Sequence, residues 1–340
     1  MTRVLYHLGM PKTGTTLLQS TLASIKDDLR ARGVLYPRAG RAGVAHHRLT
    51  HVLREGDADA RKAFLAALAD EVAAARAAGP DLRVVLLSSE GMVNLCGPET
   101  ALGLAEFTLN PGAGLHGSAV IFLREMTSFL ESMFFQTTRF RSDARSFAQY
   151  LGPHHRWMRN FLSGLTIFKA RMGDAFEIVH AGKGYDVLRE FEARLLLPSG
   201  YLDAPSRNVV PTARPSLKSQ TALVHLDWLE AEAGFAIDRK AFSARLARGG
   251  VFAQDVAKFT AYAPGQRAEV AAIYSAIIAE AGFAEYAALS QSLPADTVPH
   301  HVIERALLTP DDVATVRAMR AEIELRPETI ARRKVRQRAG

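Results

Sequence analysis

Short apolar runs alternate with amphipathic segments along roughly the first half of the chain. The apolar runs predict strands buried on both faces of a sheet, and they fall at residues 3–8, 34–37, 82–90, 117–125 and 176–181. Between them, apolar residues recur at helical spacing and predict helices at residues 15–33, 57–78, 99–108, 126–151, 154–170 and 184–197. Strands that alternate with helices are typical of a doubly wound α/β sheet.

The remaining segments are more polar or less regular. The stretch "AHHRLTHVLREG", residues 45–56, predicts a polar loop that holds three histidines. Further on, residues 203–220 predict a loop, and mostly helical segments follow to the end of the chain. We therefore expect a parallel α/β sheet with a mostly helical C-terminal part.

The composition is that of an ordinary globular protein with a preference for anions. Of the 340 residues, 48% are hydrophobic and 23% are charged, and the formal net charge is +7. Part of this excess lies in the terminal segment "ARRKVRQRAG", so the charge does not by itself predict a nucleic-acid partner.

Cysteine content and hydropathy favour a reducing, cytoplasmic compartment. Cys96 is the only cysteine, so an intramolecular disulfide is excluded and no metal site rests on thiolates alone. The N-terminal segment lacks the pattern of a secretory leader, and no stretch approaches the ~18 apolar residues of a membrane span. We expect a cytoplasmic protein without a transmembrane segment.

A glycine loop joins the first predicted strand to the first predicted helix in "VLYHLGMPKTGTTLLQSTLA". Gly9 and Gly14 let the backbone curl around an anion, and the helix N-terminus adds a partial positive charge. Their spacing is that of the G-x-x-x-x-G-K-[ST] loop of nucleotide hydrolases, but Thr15 occupies the lysine position. Lys12 lies inside the loop instead, near a 5′-phosphate rather than a distant γ-phosphate. The pattern predicts a short anionic ligand.

The segment "PKTGTT" after a strand resembles the 5′-phosphosulfate-binding loop of the sulfotransferases that use 3′-phosphoadenosine 5′-phosphosulfate (PAPS). The wider stretch "HLGMPKTGTTLLQ" is similar to a bacterial branch of that family that acts largely on carbohydrate-type acceptors. The resemblance implies a P-loop-type sheet and PAPS as co-substrate, and no metal is required because lysine and the helix end neutralise the leaving group. The residues that it assigns to the cofactor are Pro11, Lys12, Thr13, Gly14, Thr15 and Thr16.

A second cofactor contact is expected where the predicted strand 117–125 ends. Family members have an arginine at this strand end and a serine eight residues later, and the resemblance assigns Arg124 and Ser132 to the 3′-phosphate. A guanidinium suits phosphate oxygens, and ligands of α/β folds bind at the carboxyl ends of strands. The family's further basic contacts have three unassigned candidates here: Arg207, Arg214 and Lys218.

Sulfuryl transfer needs in-line placement of its reactants, charge stabilisation on the leaving oxygen and a base for the acceptor hydroxyl. Lys12 is the candidate for the leaving oxygen. Glu90, at the end of the strand 82–90, is the leading candidate for the base, and several carbohydrate sulfotransferases have a glutamate after the corresponding strand. A helix-capping role is the structural alternative for this carboxylate.

Histidine is the alternative base, because imidazole titrates near neutrality. His47, or its neighbour His46, is the candidate, and simple solvation in a polar loop is the structural alternative for both. His7, inside the first predicted strand, is expected to form a hydrogen-bonded wall of the site.

The expected protein is one sulfotransferase domain over residues 1–340. Residues 1–150 form its cofactor-binding core, and residues 151–340 supply the remainder of the sheet, the acceptor-side helices and the basic tail. The expected acceptor is a hydroxyl of a saccharide or glycolipid. Two alternatives remain open: a P-loop nucleotide kinase, which binds Mg·ATP, and a non-catalytic protein that binds PAPS or another nucleotide.

Overall fold

The computed structural model describes residues 2–79, 81–112, 114–140, 147–182, 185–206, 216–248, 251–252, 259–283, 298–299 and 307–325. The strands are β1 (Arg3–Leu8), β2 (Val34–Leu35), β3 (Val84–Ser89), β4 (His116–Arg124), β5 (Phe176–Ala181), β6 (Phe259–Thr260) and β7 (Val298–Pro299). The helices are α1 (Thr15–Ser24), α2 (Lys26–Ala31), α3 (His47–Glu55), α4 (Ala58–Ala77), α5 (Ala101–Leu109), α6 (Met126–Phe140), α7 (Phe147–Met172), α8 (Val187–Arg194), α9 (Asp203–Ser206), α10 (Leu217–Val224), α11 (Leu226–Ala233), α12 (Arg239–Ala247), α13 (Gln266–Glu280), α14 (Pro310–Ala318) and α15 (Arg320–Ile323). Short 3₁₀ helices span Glu90–Leu95 and Gly173–Ala175.

Five parallel strands form the central sheet in the order β2-β3-β1-β4-β5. The middle strand, β1, pairs with β3 on one side and β4 on the other, so that Leu8 lies beside Ser89 and Ile121. β4 continues beyond this level to Arg124, which pairs with Ala181 at the end of β5. The predicted parallel α/β sheet is confirmed, and its strand ends meet at one edge.

Helices cover both faces of the sheet. Successive side chains of β1 point to opposite faces and pack against these helices. Leu5 and His7 point to one face, where Leu5 shares a buried cluster with Leu18 of α1 and the His7 ring lies 4.8 Å from Phe191 of α8. On the opposite face, Tyr6 makes an edge-on ring contact with α5. The strand is therefore buried on both sides, which explains its continuous apolar sequence.

The predicted loop at residues 45–56 is wrong, because residues 47–55 form the helix α3. Leu49 and Leu53, one helical turn apart, are buried, while the helix exposes its histidines and arginines, namely His47, Arg48, His51 and Arg54. Gly56 ends the helix in the left-handed conformation at φ 71°. Two apolar positions were enough for a helix in this context, although the segment is polar overall.

Two helix boundaries also differ from the prediction. The helix expected at 15–33 is divided at Ile25 into α1 and α2. The helix expected at 126–151 covers α6, described as far as Phe140, and the first part of α7, which is described from Phe147 and continues through Pro153 to Met172. The segment predicted at 154–170 therefore belongs to α7, and residues 141–146 lie outside the described part.

The chain divides into two compact units, each made of separate segments. The first contains residues 1–129, 154–211 and 271–290, and it includes the five-stranded sheet. The second contains residues 130–153, 212–270 and 291–340, and its described helices share an apolar core with Phe242 and Val316 at full burial. The assignment of 1–340 to one domain stays a prediction, and the basic terminal segment lies outside the described residues.

Candidate functional site

The glycine loop at residues 9–14 lies at the carboxyl end of β1 and leads directly into α1. Its backbone takes the left-handed conformation at Lys12 (φ 69°) and Gly14 (φ 82°). Gly14 is the N-cap of α1, and Leu18 N donates the first ladder bond, of 3.1 Å, to Gly14 O. The backbone N–H groups of the first turn of α1, before Leu18, have no intrahelical acceptor. The helix dipole makes their surroundings positive.

Three carbonyl oxygens of the loop accept hydrogen bonds from side chains. The Thr13 hydroxyl donates to Met10 O at 2.7 Å, and the Tyr185 hydroxyl donates to Thr13 O at 3.3 Å. Arg124 Nη1 donates to Lys12 O at 3.2 Å. With these oxygens engaged, the electron-rich side of the loop is bonded to protein, and its N–H side suits an anion.

The threonines that the sequence assigns to the cofactor have different surroundings. Thr13 and Thr15 are buried, and the hydroxyl of each makes a hydrogen bond within the protein. Thr16 is exposed, and Pro11 is half-buried. Their contacts with a phosphate remain predictions.

Glu90 follows β3 directly and lies against the loop. The Thr15 hydroxyl donates a hydrogen bond to Glu90 Oε1. Burial raises the pKa of the Glu90 carboxyl, and the nearby positive charge of Lys12 opposes that rise. The loop passes so close that a Cβ atom on Gly9 would lie 3.1 Å from the Glu90 Cα atom. The structure therefore brings the leading base candidate, Lys12 and the loop together.

Glu90 does not serve as a helix cap. Ser89 is the N-cap of the 3₁₀ helix that begins at Glu90, and its Oγ accepts a hydrogen bond of 3.3 Å from Gly91 N. The carboxylate of Glu90 faces the loop instead of the end of its own helix. Ser89 therefore caps the 3₁₀ helix, and the Glu90 carboxylate contacts the loop.

His47 contacts Ser89, the residue that precedes Glu90. Its Nδ1 atom is 3.1 Å from Ser89 Oγ, which is also 2.8 Å from the Thr50 hydroxyl. His47 is the first residue of α3 and is exposed, so its ring can meet a ligand from solvent. Both base candidates thus lie where β3 ends.

His46 and His7 are buried and hydrogen-bonded within the protein. The Ser88 backbone N–H donates to His46 Nδ1 at 3.0 Å, and His46 Nε2 is 3.1 Å from Pro37 O. Burial lowers the pKa of His46 to about 4 and that of His7 to about 3. His7 Nδ1 is 2.8 Å from the Ser88 hydroxyl, so His7 forms a buried wall behind the loop.

Arg124 is the last residue of β4 and contacts the loop through Lys12 O. The next residue, Glu125, begins the turn into α6 by accepting hydrogen bonds of 2.9 Å from the Thr127 and Ser128 backbone N–H groups. Ser132 lies on α6 and belongs to the second compact unit. Its pairing with Arg124 around a phosphate stays a prediction.

A cleft of about 540 Å³, counting the part open to solvent, lies at the ends of β4 and β5. Within the described residues, His180 Nε2 is buried without a hydrogen-bond partner, and burial lowers the pKa of this imidazole while Glu125 opposes the change. The polar lining includes Arg124, Thr127 and His180, and the apolar lining includes Met126, Phe161, Leu162, Ile278 and Phe283. An apolar cleft with a few polar groups is typical of a small-molecule site.

Of the three unassigned basic candidates, Lys218 is the one within the described residues. Lys218 Nζ pairs with Asp312 at 3.0 Å inside the second unit. Arg207 and Arg214 lie outside the described part of the chain. The predicted basic contacts from this segment therefore stay predictions.

Sequence reasoning missed two residues of the site, Tyr185 and Ser89. Tyr185 follows β5 in the segment "AGKGYD", and the same strand-end argument that selected Arg124 applies to it. Ser89 precedes Glu90 and was treated only as part of a strand. A search of every strand end for polar side chains would have found both.

No protein-family model matches the chain, and no curated protein matches it. Across the described residues, no group of three or more histidine, cysteine, aspartate or glutamate side chains is arranged to hold a metal ion. A search of the described helices likewise finds none with the length and apolar character needed to cross a membrane.

Proposed function

We propose that the protein transfers the sulfuryl group of PAPS to a hydroxyl of an acceptor. The observation that carries this proposal is the hydrogen bond from Thr15 to Glu90, which joins a candidate base to an anion-binding loop that contains a lysine. An acid–base group and a cation beside a helix N-terminus are the components that group transfer between two oxygens requires.

The 5′-phosphate belongs at the N-terminus of α1, where the first-turn N–H groups lack intrahelical acceptors. Lys12 lies within this loop and acts electrostatically on Glu90, and we assign its ammonium to the charge that develops on the bridging oxygen. Arg124 contacts the same loop from β4 and offers a guanidinium for the 3′-phosphate. The donor set therefore fits an anion with two phosphate groups.

The proposed reaction needs no reactant besides PAPS and the acceptor. The acceptor oxygen forms a bond to sulfur as the bond between sulfur and the 5′-phosphate oxygen breaks, and that oxygen keeps the electron pair. Glu90 accepts the proton of the acceptor hydroxyl, and Lys12 stabilises the leaving phosphate. The products are a sulfate ester and adenosine 3′,5′-bisphosphate.

The two sides of β1 suggest separate places for nucleoside and acceptor. Glu90 and His47 lie at the end of β3, on one side of the loop, whereas Arg124 and the apolar cleft lie at the ends of β4 and β5, on the other. In-line transfer requires the acceptor and the leaving group on opposite sides of sulfur. We therefore assign the nucleoside to the cleft and the acceptor to the β3 and α3 side.

The saccharide or glycolipid class of the acceptor rests on the sequence resemblance alone. The described part of α3 supports a polar acceptor, because His47, itself a candidate base, and its neighbour Arg48 are both exposed. Hydroxyl-rich ligands are bound by such hydrogen-bonding side chains. An acceptor panel with ³⁵S-labelled PAPS identifies the class directly.

Calorimetric titration tests the nucleotide part of the proposal. We expect adenosine 3′,5′-bisphosphate to bind without Mg²⁺ and to bind more tightly than Mg·ATP, because the loop lacks a lysine at Thr15. Lys26→Ala is the matched control for Lys12→Ala, since Lys26 lies on α2 with 42% of its side chain exposed and pairs with its neighbour Asp27 at 3.1 Å. The control should bind as the wild type does.

Other outcomes point to the alternatives. A preference for Mg·ATP supports a nucleotide kinase and overturns the sulfotransferase proposal. Binding of the bisphosphate without sulfation of any acceptor in a broad saccharide and glycolipid panel supports a non-catalytic binder.

A further inference from the structure

Thr15 has one hydroxyl proton and faces two sites that can only accept it. In the structure the hydroxyl donates to Glu90 Oε1. Thr15 is also the first residue of α1, directly after the N-cap Gly14, where the proposed function places a phosphate. An ionised carboxylate and a phosphate dianion are both acceptors without protons to give.

A single hydroxyl cannot donate its proton fully to both anions. When a phosphate takes the Thr15 proton, Glu90 loses a hydrogen bond that favours its ionised form, and it also gains a negative neighbour. Both changes make Glu90 bind a proton more tightly. When the loop is empty, the same hydroxyl returns to Glu90 and stabilises the carboxylate.

We propose that Thr15 is a positioning residue that couples an anion in the loop to the proton affinity of Glu90. The proposal rests on the proposed function in taking adenosine 3′,5′-bisphosphate as the anion. Its consequence is that Glu90 is held by Thr15 in the empty protein and becomes a stronger base when the loop is loaded.

The charged surroundings of Glu90 set the direction of the effect. Lys12 faces it from the loop and favours the carboxylate, and His47 approaches from α3 through Ser89. Gly91 packs against Thr50 of α3, an uncharged neighbour. Loading the loop with phosphate offsets Lys12 and removes the Thr15 hydrogen bond, so the bound state takes up a proton that the empty state lacks.

Affinity for the bisphosphate then depends on pH in a predictable direction. Between the pKa values of Glu90 in the empty and loaded states, affinity falls as pH rises, by up to about tenfold per pH unit for one coupled proton. The phosphates of the ligand titrate as well, with a second pKa of about 6. The part that comes from the free ligand is common to all variants and cancels when they are compared.

Calorimetry from pH 5 to pH 8, in pairs of buffers with different ionisation enthalpies, counts the protons taken up on binding. We expect Thr15→Val to take up clearly fewer protons than the wild type, because its empty state already lacks the hydrogen bond to Glu90. Thr15→Ser keeps a hydroxyl and should restore the wild-type count. A structural role for Thr15 alone would lower affinity without changing the proton count.

Two further variants separate the coupling from loss of a phosphate contact. Thr16→Val removes the neighbouring, exposed hydroxyl and should weaken binding while leaving proton uptake at the wild-type value. Glu90→Gln removes the titrating group and should abolish the Thr15-dependent uptake. If Glu90→Gln retains that uptake, His47 or another group carries it and the proposal is wrong.

The failure of this proposal is distinguishable from failure of the proposed function. If the bisphosphate binds neither the wild type nor any variant, the proposed function and the proposed coupling are both wrong. If it binds and Thr15→Val takes up as many protons as the wild type, the coupling alone is overturned.

Discussion

Lys12 combines a cation with an unusual backbone conformation. It is one of two non-glycine residues with positive φ among the described residues, and its carbonyl oxygen accepts from Arg124. The left-handed region costs a residue with a Cβ atom roughly 1–2 kcal/mol. The fold maintains this strain at the residue whose side chain the proposed mechanism assigns to the leaving oxygen.

Lys12→Ala should lower kcat for sulfate transfer by about 10²–10³ even at saturating PAPS, because the lost contact strengthens as the leaving oxygen gains charge. Lys12→Gly should lower kcat similarly while relieving the backbone strain. Steady-state kinetics with a labelled acceptor measure both variants. A change confined to KM for PAPS would show that Lys12 binds the ground state and the transition state equally.

The two candidate bases differ in their contacts, and this difference makes them separable. Glu90→Gln should reduce kcat by about 10²–10⁴ and remove an acidic limb from the pH–rate profile. His47→Ala should have a small effect if Ser89 only holds it at the rim of the site. The reverse order of the two losses would assign the base to His47.

At the scale of elements, the site depends on how α8 packs against the loop. Gly14 has φ 82°, and a Cβ atom at this position would lie 2.8 Å from Val187 Cγ1 at the start of α8. The same segment supplies Tyr185, whose hydroxyl donates to Thr13 O at 3.3 Å. The glycine is therefore required both by its own backbone and by the neighbouring helix.

Gly14→Ala should weaken binding of adenosine 3′,5′-bisphosphate strongly and lower the free energy of unfolding by about 1–3 kcal/mol, through strain and contact with Val187. The double variant Gly14→Ala, Val187→Ala removes the contact and keeps the unfavourable φ. We expect it to recover part of the affinity relative to Gly14→Ala. Equal affinity in the two variants would show that backbone strain alone explains the loss. Calorimetry and urea unfolding measure these quantities.

At the scale of the whole molecule, two buried neutral histidines behind the site make the free energy of unfolding depend on pH. His46 is fully buried and bonds to the backbone of β3 and of residue 37, and His7 lies in the middle of the sheet. Burial disfavours the charged imidazole in both. Folding of the sheet therefore holds these two groups unprotonated.

The free energy of unfolding should fall as pH drops below the ordinary imidazole pKa of 6.5. The folded-state pKa of His46 is lowered to about 4, so between these values the unfolded chain binds a proton that the folded chain does not. From pH 6.5 to pH 5 this one group should cost about 2 kcal/mol. Urea unfolding at several pH values measures the loss. His46→Gln should reduce the slope.

The sequence by itself determined the local features of this protein. The apolar runs located β1, β3, β4 and β5, because a strand buried on both faces must be apolar throughout. The same pattern placed Arg124 at the end of β4 and Glu90 directly after β3. Strand-end position is encoded by a few consecutive residues, so it can be predicted without knowledge of the partners.

Only the tertiary structure decided which of these residues meet. The hydrogen bond from Thr15 to Glu90 joins positions 75 residues apart, and that from Tyr185 to Thr13 O joins positions 172 apart. The fold also buried His46 and exposed His47, because α3 begins between them. Such contacts depend on strand order and helix packing, which bring distant segments together and are not recorded in any local pattern.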